Sequence, residues 1–268
     1  MNVSISRLLP ALCVSGLLFT AQPLLATNYS GNGASGFGGV VGSSTLTVSN
    51  SGPNTGSGII SFVFNAGAAF GNDDDLVFYI DSVAGGFNST STFADNTDGG
   101  HIAISGEDTS NAGDSGASTQ DIATFAPGFL ADYALVLDPT ESFAGLYLLG
   151  SGGNGTIVYQ EGANYSNPST NVYDFSLLAS NLGLTGTAGS KFNFVGTLIS
   201  QTAYRSNETI GASATTPDTG AAPNGGFDGS QTFSNSDTFT FAAIPEPTSI
   251  GLLVCGGVAA LVMRKRRG

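Results

Sequence analysis

Residues 133–149 read YALVLDPTESFAGLYLL: two runs of branched and aromatic side chains, 133–137 and 143–149, with a polar break that starts at Asp138. Runs this short do not make a stable helix, and their composition suits extended chain. The pattern recurs outward in both directions. Before it stand 59–64 (IISFVF), 76–80 (LVFYI) and 102–105 (IAIS); after it come 156–159 (TIVY), 192–199 (FNFVGTLI) and 238–241 (TFTF). Several are apolar at consecutive positions, as in strands covered on both faces. Residues 172–184 (VYDFSLLASNLGL) start as a strand and turn into one or two helical turns. Run spacing and intervening glycines predict an all-β fold: a single antiparallel β-sandwich of about eight to ten strands with one short helix. Residues 31–42, 109–119 and 213–230, crowded with Gly, Ser, Asn and Pro, are expected as mobile loops.

Composition narrows the function classes. The chain has 268 residues, of which 10% are charged, and seven Lys/Arg against twenty Asp/Glu give a net charge of −13. A nucleic-acid binder needs the basic residues that are missing. Two cysteines exclude a thiolate metal centre or a disulfide scaffold.

Both ends read as addresses. Residues 1–26 carry one basic residue, Arg7, then the apolar run 8–19 and a looser stretch closing on Ala26, the pattern of a signal peptide cleaved after Ala26. At the other end Pro245, Glu246 and Pro247 interrupt any regular element. Fourteen residues without charge follow, 250–263, and then Arg264, Lys265, Arg266 and Arg267. A helix over that run covers about 21 Å against roughly 30 Å of hydrocarbon. Thr248, Ser249 and snorkelling basic side chains close the gap, so a short C-terminal transmembrane helix is expected, its basic end in the cytoplasm and the body outside.

The tripartite tail, Pro245-Glu246-Pro247 followed by an apolar segment and a terminal basic cluster, resembles the PEP-CTERM sorting domain, the substrate tag of exosortases. The resemblance covers residues 244–268 and implies the secretion machinery, the inner membrane of a Gram-negative bacterium as a transient anchor, and an exosortase-like processing enzyme as partners. Cleavage near 245–247 and transfer to the cell surface or an extracellular polysaccharide matrix, as in a biofilm, would follow. An ordinary single-pass anchor is the plainer alternative. The chain thus divides into a signal peptide (1–26), a β-sandwich surface domain (27–243) and a sorting tail (244–268). Processing leaves Lys191 and Arg205 against nineteen acidic residues, a net charge of −17, and removes Cys13 and Cys255. Such a surface repels polyanions and attracts cations.

Within the body, 58–241 loosely resembles DOMON-like and family 9 carbohydrate-binding-module domains. The matching features are Asp81 after the LVFYI run, Gly128-Phe129, Asp132-Tyr133, and the late Ser206-Asn207. The resemblance implies a sandwich and allows sugar or haem binding, with Asp81 and Asn207 as ligand-binding candidates; a chain whose only methionines are Met1 and Met263 offers haem no Met ligand after processing.

Reactive groups are sparse. His101 is the only imidazole, and no Gly-x-Ser-x-Gly elbow is present. A non-catalytic protein is expected, and no cofactor is required. Asp73, Asp74, Asp75, Asp95 and Asp98 supply hard oxygen ligands of the kind Ca²⁺ takes, although Gly106 stands where an EF-hand starting at Asp95 needs Glu. The expected function is an exported cell-surface or matrix protein; the alternative is a secreted carbohydrate-binding module acting on extracellular polysaccharide.

Overall fold

The computed structural model describes residues 26–51, 58–72, 74–108, 119–150, 156–200, 203–213 and 229–243. Residues 1–25 of the expected signal peptide (1–26), the expected sorting tail 244–268, Asp73 and most of the expected loops 109–119 and 213–230 lie outside the described residues.

In chain order the strands are β1 (Ala26–Ser30), β2 (Thr45–Ser51), β3 (Ile59–Asn65), β4 (Asp74–Asp81), β5 (Glu107–Asp108), β6 (Thr119–Gln120), β7 (Ala123–Thr124), β8 (Tyr133–Asp138), β9 (Phe143–Leu149), β10 (Ile157–Gly162), β11 (Asn164–Ser169), β12 (Val172–Leu178), β13 (Lys191–Ser200), β14 (Arg205–Ile210), β15 (Gln231–Thr232) and β16 (Asp237–Thr240). An α-helix, α1 (Gly99–Ser105), and a 3₁₀ turn (Ala179–Leu182) complete the described elements. The 3₁₀ turn follows β12 without a break, which is the strand-to-helix switch expected over 172–184.

Two antiparallel sheets hold most of the chain. The first has the order β1-β2-β3-β12-β11; the second runs β10-β9-β8-β4-β13-β14, with β16 also on β13. Strand alternation sends Phe62 and Phe64 of β3 and Phe175 of β12 into the same core as Leu76, Phe78 and Ile80 of β4. Phe62 stacks on Phe175 at 5.1 Å and meets Phe78 at 6.3 Å, so these rings join the two sheets.

The other face of the second sheet is buried as well. Val77 and Tyr79 of β4, Ala134 and Val136 of β8, and Val195 and Ile199 of β13 line a second core with Ala103 and Ile104 of α1, Phe93, Phe125 and Phe233. The consecutive apolar residues of these strands therefore have a specific cause: the second sheet is a middle layer, covered on one side by the first sheet and on the other by α1 and its neighbouring loops. Arg205, fully buried, fastens that cover; its Nη2 donates to the Tyr79 hydroxyl at 3.1 Å and the Ala103 carbonyl at 3.4 Å. The Tyr79 hydroxyl in turn donates to the Ile104 carbonyl at 2.6 Å.

Several expectations need correction, the first being that the described residues hold sixteen strands where about eight to ten were expected. Residues 102–105, expected as a strand, belong to helix α1. The Asp98 carboxylate caps its start by accepting the His101 N–H at 3.0 Å, and Gly106 ends it at φ 72°, a left-handed value that glycine adopts without strain. These end signals outweigh the alternation of Ile102 and Ile104. The glycine-rich stretch 31–42 is also no free loop. Glu208 of β14, fully buried, accepts the backbone N–H groups of Phe37 (2.7 Å), Gly39 (2.8 Å), Val41 (2.7 Å) and Gly42 (3.1 Å). One carboxylate replaces the partners a loop would otherwise find in water.

The first and last described strands meet. The Tyr29 hydroxyl donates to the Thr238 carbonyl at 2.8 Å, and its ring lies 4.8 Å from Phe194. Ala26 pairs with Ser49, while the adjacent Asn50 side chain bonds Ala242 in both directions, at 3.3 and 3.2 Å. Residues 26 and 242 therefore leave from one pole of the body. Among the described residues no helix is long and apolar enough to cross a membrane.

Candidate functional site

The acidic stretches take up local structural duties. Asp74 and Asp75 are part of β4 rather than a loop, so alternation turns them to opposite faces. Asp74 accepts the Gly71 N–H at 3.0 Å, whereas Asp75 is buried on the Val77–Tyr79 side. Asp95 accepts the Thr97 N–H at 3.2 Å, and Asp98 caps α1. The His101 ring stands between these last two carboxylates, with Nδ1 2.8 Å from Asp98 and Nε2 3.9 Å from Asp95. Diverging ring nitrogens cannot both address one ion. Burial pushes the Asp98 carboxyl up, but its bonds to the His101 ring and N–H outweigh that and hold it below the usual carboxylate range. Among the described residues no group of three or more His, Cys, Asp or Glu is placed to hold a metal ion.

Asp81 and Asn207 do not converge either. Asp81 ends β4 opposite Asn193, whose Nδ2 it accepts at 3.3 Å. β14 pairs with β13 only over Gly196–Ile199, which puts Asn207 about 16 Å further along the sheet. Next to Asp81, Asp132 accepts the N–H groups of Ser82 and Val83 at 2.9 Å each. Its carboxyl is pushed up by burial, against those two bonds, and further by the Asp81 charge.

A different set of polar groups does converge. On the outer face of the first sheet the register aligns Ser61, Ser176 and Asn164 in one row across β3, β12 and β11, and Val63, Asp174 and Ser166 in the next. These six side chains line a groove of about 350 Å³. Neighbouring strands lie about 4.8 Å apart and alternate residues about 7 Å along a strand, so the grid measures about 10 by 7 Å. Its floor is rigid, because Phe62 and Phe175, the intervening residues of the same strands, are packed into the first core. Oδ1 of Asp174 is shielded from solvent and has no hydrogen-bond partner among the described residues.

No family model, curated protein or solved structure matches this chain. Sequence reasoning found the apolar strands but missed the groove, since Asn164 and Ser166 stand in a polar strand, NYSNPS, that carries no hydrophobic run. The alternation of Ser61 and Val63 with Phe62 and Phe64 was the one available signal.

Proposed function

We propose that the chain is an exported, non-catalytic cell-surface or matrix protein, delivered by its signal peptide, held transiently in the inner membrane and released by an exosortase-like enzyme. The C-terminal order of Pro245-Glu246-Pro247, apolar segment and Arg264–Arg267 cluster is the single observation that carries this reading. The body is read as a two-sheet sandwich with an added third layer. Two features of the fold support the proposal. Residues 26 and 242 leave from the same pole, so an N-terminal signal and a C-terminal anchor could occupy one membrane together without distorting the body. Among the described residues both His101 nitrogens face carboxylates, Nδ1 at 2.8 Å from Asp98 and Nε2 at 3.9 Å from Asp95, and none of these residues' serines hydrogen-bonds the ring as a hydrolytic triad requires.

Mass spectrometry of the extracellular fraction tests the processing step. The expected product begins after Ala26 and ends near Pro245–Pro247. Recovery there of a chain still carrying Arg264–Arg267 would overturn it.

A further inference from the structure

We propose that the pole from which residues 26 and 242 leave docks on a lipid surface, seating apolar side chains among the headgroups of an anionic bilayer while the tail is still in place. The inference rests on the export reading and deepens it, since it gives the folded body its own contact with the membrane.

Apolar side chains gather at this pole. Ile59, Val83, Leu130 and Leu178 are each 38–43% exposed. Ile59 and Leu178 are register partners, in the outward-facing row next to the one that ends on Ala26. The 3₁₀ turn after Leu178 leads to the loop that follows β4. There the Ser82 hydroxyl donates to the Leu182 carbonyl at 2.7 Å, and a Cβ on Gly183 would lie 2.6 Å from Val83 Cγ1. Leu130 joins from the segment before β8, its N–H reaching the Asp81 carboxylate at 3.5 Å. The other exposed large apolar residues among those described, Val158 and Tyr159, lie at the start of edge strand β10, beside the end of β9. None stands at the opposite pole, where β8 turns into β9 through Glu141. Single exposed apolar residues are ordinary, but four on one tip that also bears both chain exits mark a contact surface.

The backbone of this tip is prepared for an apolar layer. Asp132, itself buried, accepts the N–H groups of Ser82 and Val83 at 2.9 Å each, so neither enters lipid with its hydrogen bond unmade. Asp81 is engaged as well, by Asn193 Nδ2 at 3.3 Å.

Charge selects the same pole. Between the processing points only Lys191 and Arg205 are basic, and Arg205 is buried. Lys191, exposed at the start of β13, pairs with Thr240, two residues from Ala242. The one exposed Lys or Arg of the body therefore faces the lipid phosphates, whereas a body of net −17 is pushed away from an anionic surface in other orientations. Residues 243–249 join the pole to the apolar segment, and seven residues span at most about 25 Å. A pole tethered so near needs little affinity of its own. Weak membrane contacts hold only in combination, so cutting the tail removes the stronger one and frees the body.

The full chain, with Cys13→Ala and Cys255→Ala, is labelled with an environment-sensitive fluorophore at Val83→Cys, Leu178→Cys or, at the opposite pole, Glu141→Cys. Each protein is reconstituted into vesicles of phosphatidylethanolamine and phosphatidylglycerol, recovered by flotation and read with quenchers carried on the lipid. Six-residue β8 alone separates the poles by about 20 Å, so quenching at 83 and 178 should exceed that at 141 about threefold. Leu130→Asp should lower quenching at 83 by about half. Lys191→Glu should lower it in these vesicles and leave it unchanged in phosphatidylcholine alone. Both substituted side chains are exposed, and melting temperatures verify that each variant is folded. Equal quenching at 83, 178 and 141 in floated protein would overturn the docking and leave the anchor standing. A label at 83 shielded from water yet beyond the lipid quenchers would assign the pole to a second copy of the chain and overturn it too. Protein that fails to float would overturn the anchored state itself, and this contact with it.

Discussion

Replacing Glu208 with alanine removes the acceptor for four backbone N–H groups at once. Those of Gly39, Val41 and Gly42 are bonded in buried surroundings at 2.8, 2.7 and 3.1 Å, and that of Phe37 is partly buried at 2.7 Å. A buried donor left without a partner costs about 1–3 kcal/mol. Taking the low end for the three buried groups and part of that for Phe37, with water entering the vacated space, gives about 3–5 kcal/mol. For a domain of this size that corresponds to a fall in melting temperature of about 10 °C. Glu208→Gln distinguishes hydrogen bonding from packing, because it keeps the shape. Its single oxygen can serve one pair of N–H groups, while its NH₂ confronts the other pair with donors, so roughly half the loss, about 2 kcal/mol, is expected. Urea unfolding followed by tyrosine fluorescence is a suitable assay, since the chain has eight Tyr and no Trp. A glutamine variant as stable as the unmodified chain, or an alanine variant within about 1 kcal/mol of it, would refute the cradle as the anchor of residues 37–42.

Gly196→Val tests the close approach of β13 to its neighbours. A Cβ there would lie 2.7 Å from Ile210 Cγ2 and 2.8 Å from the Phe78 ring, so a loss of about 1–3 kcal/mol is expected in the same urea assay. Two carboxylates give pH dependences of opposite sign. Asp98 is held below its unfolded value of about 3.9, so its contribution to stability is complete above that pH and is lost as pH falls through the folded pKa. Asp98→Asn should remove this part of the acid sensitivity in melts between pH 2 and 6. Asp132 is raised, so its ionisation opposes folding at neutral pH; Asp132→Asn, which keeps an oxygen for Ser82 and Val83, should be neutral or stabilising at pH 7 and lose that advantage in acid. A destabilised Asp132→Asn at pH 7 would contradict the assignment.

The strong strands were legible because hydrophobic burial leaves a local trace. Residues 59–64, 133–137 and 143–149 read as strands in the sequence and fall within β3, β8 and β9. The polar strands left none: β1, β11 and β14 read ATNYS, NYSNPS and RSNETI, and pair because neighbouring strands offer a ladder, not because their own side chains demand it. The candidate residues fared similarly. Acidic clusters at 73–75 and 95–98 invited a cation reading, yet strand alternation separates Asp74 from Asp75 and a helix cap employs Asp98. Nothing along the chain singles out Glu208 in the polar strand RSNETI, yet in the structure it accepts four backbone N–H groups.

By itself the sequence determined what depends on neighbours along the chain: the acidic balance, the apolar runs and the strand-to-turn switch near residue 179. Only the tertiary structure decided what depends on residues brought together from afar. It made the second sheet a middle layer, set Glu208 against a loop some 170 residues away in the chain, and aligned Ser61 with Ser176 and Asn164 in one groove. Register is the physical reason: a shift of one residue turns every side chain of a strand to the other face, and nothing within a short polar strand fixes that choice until its partners are in place.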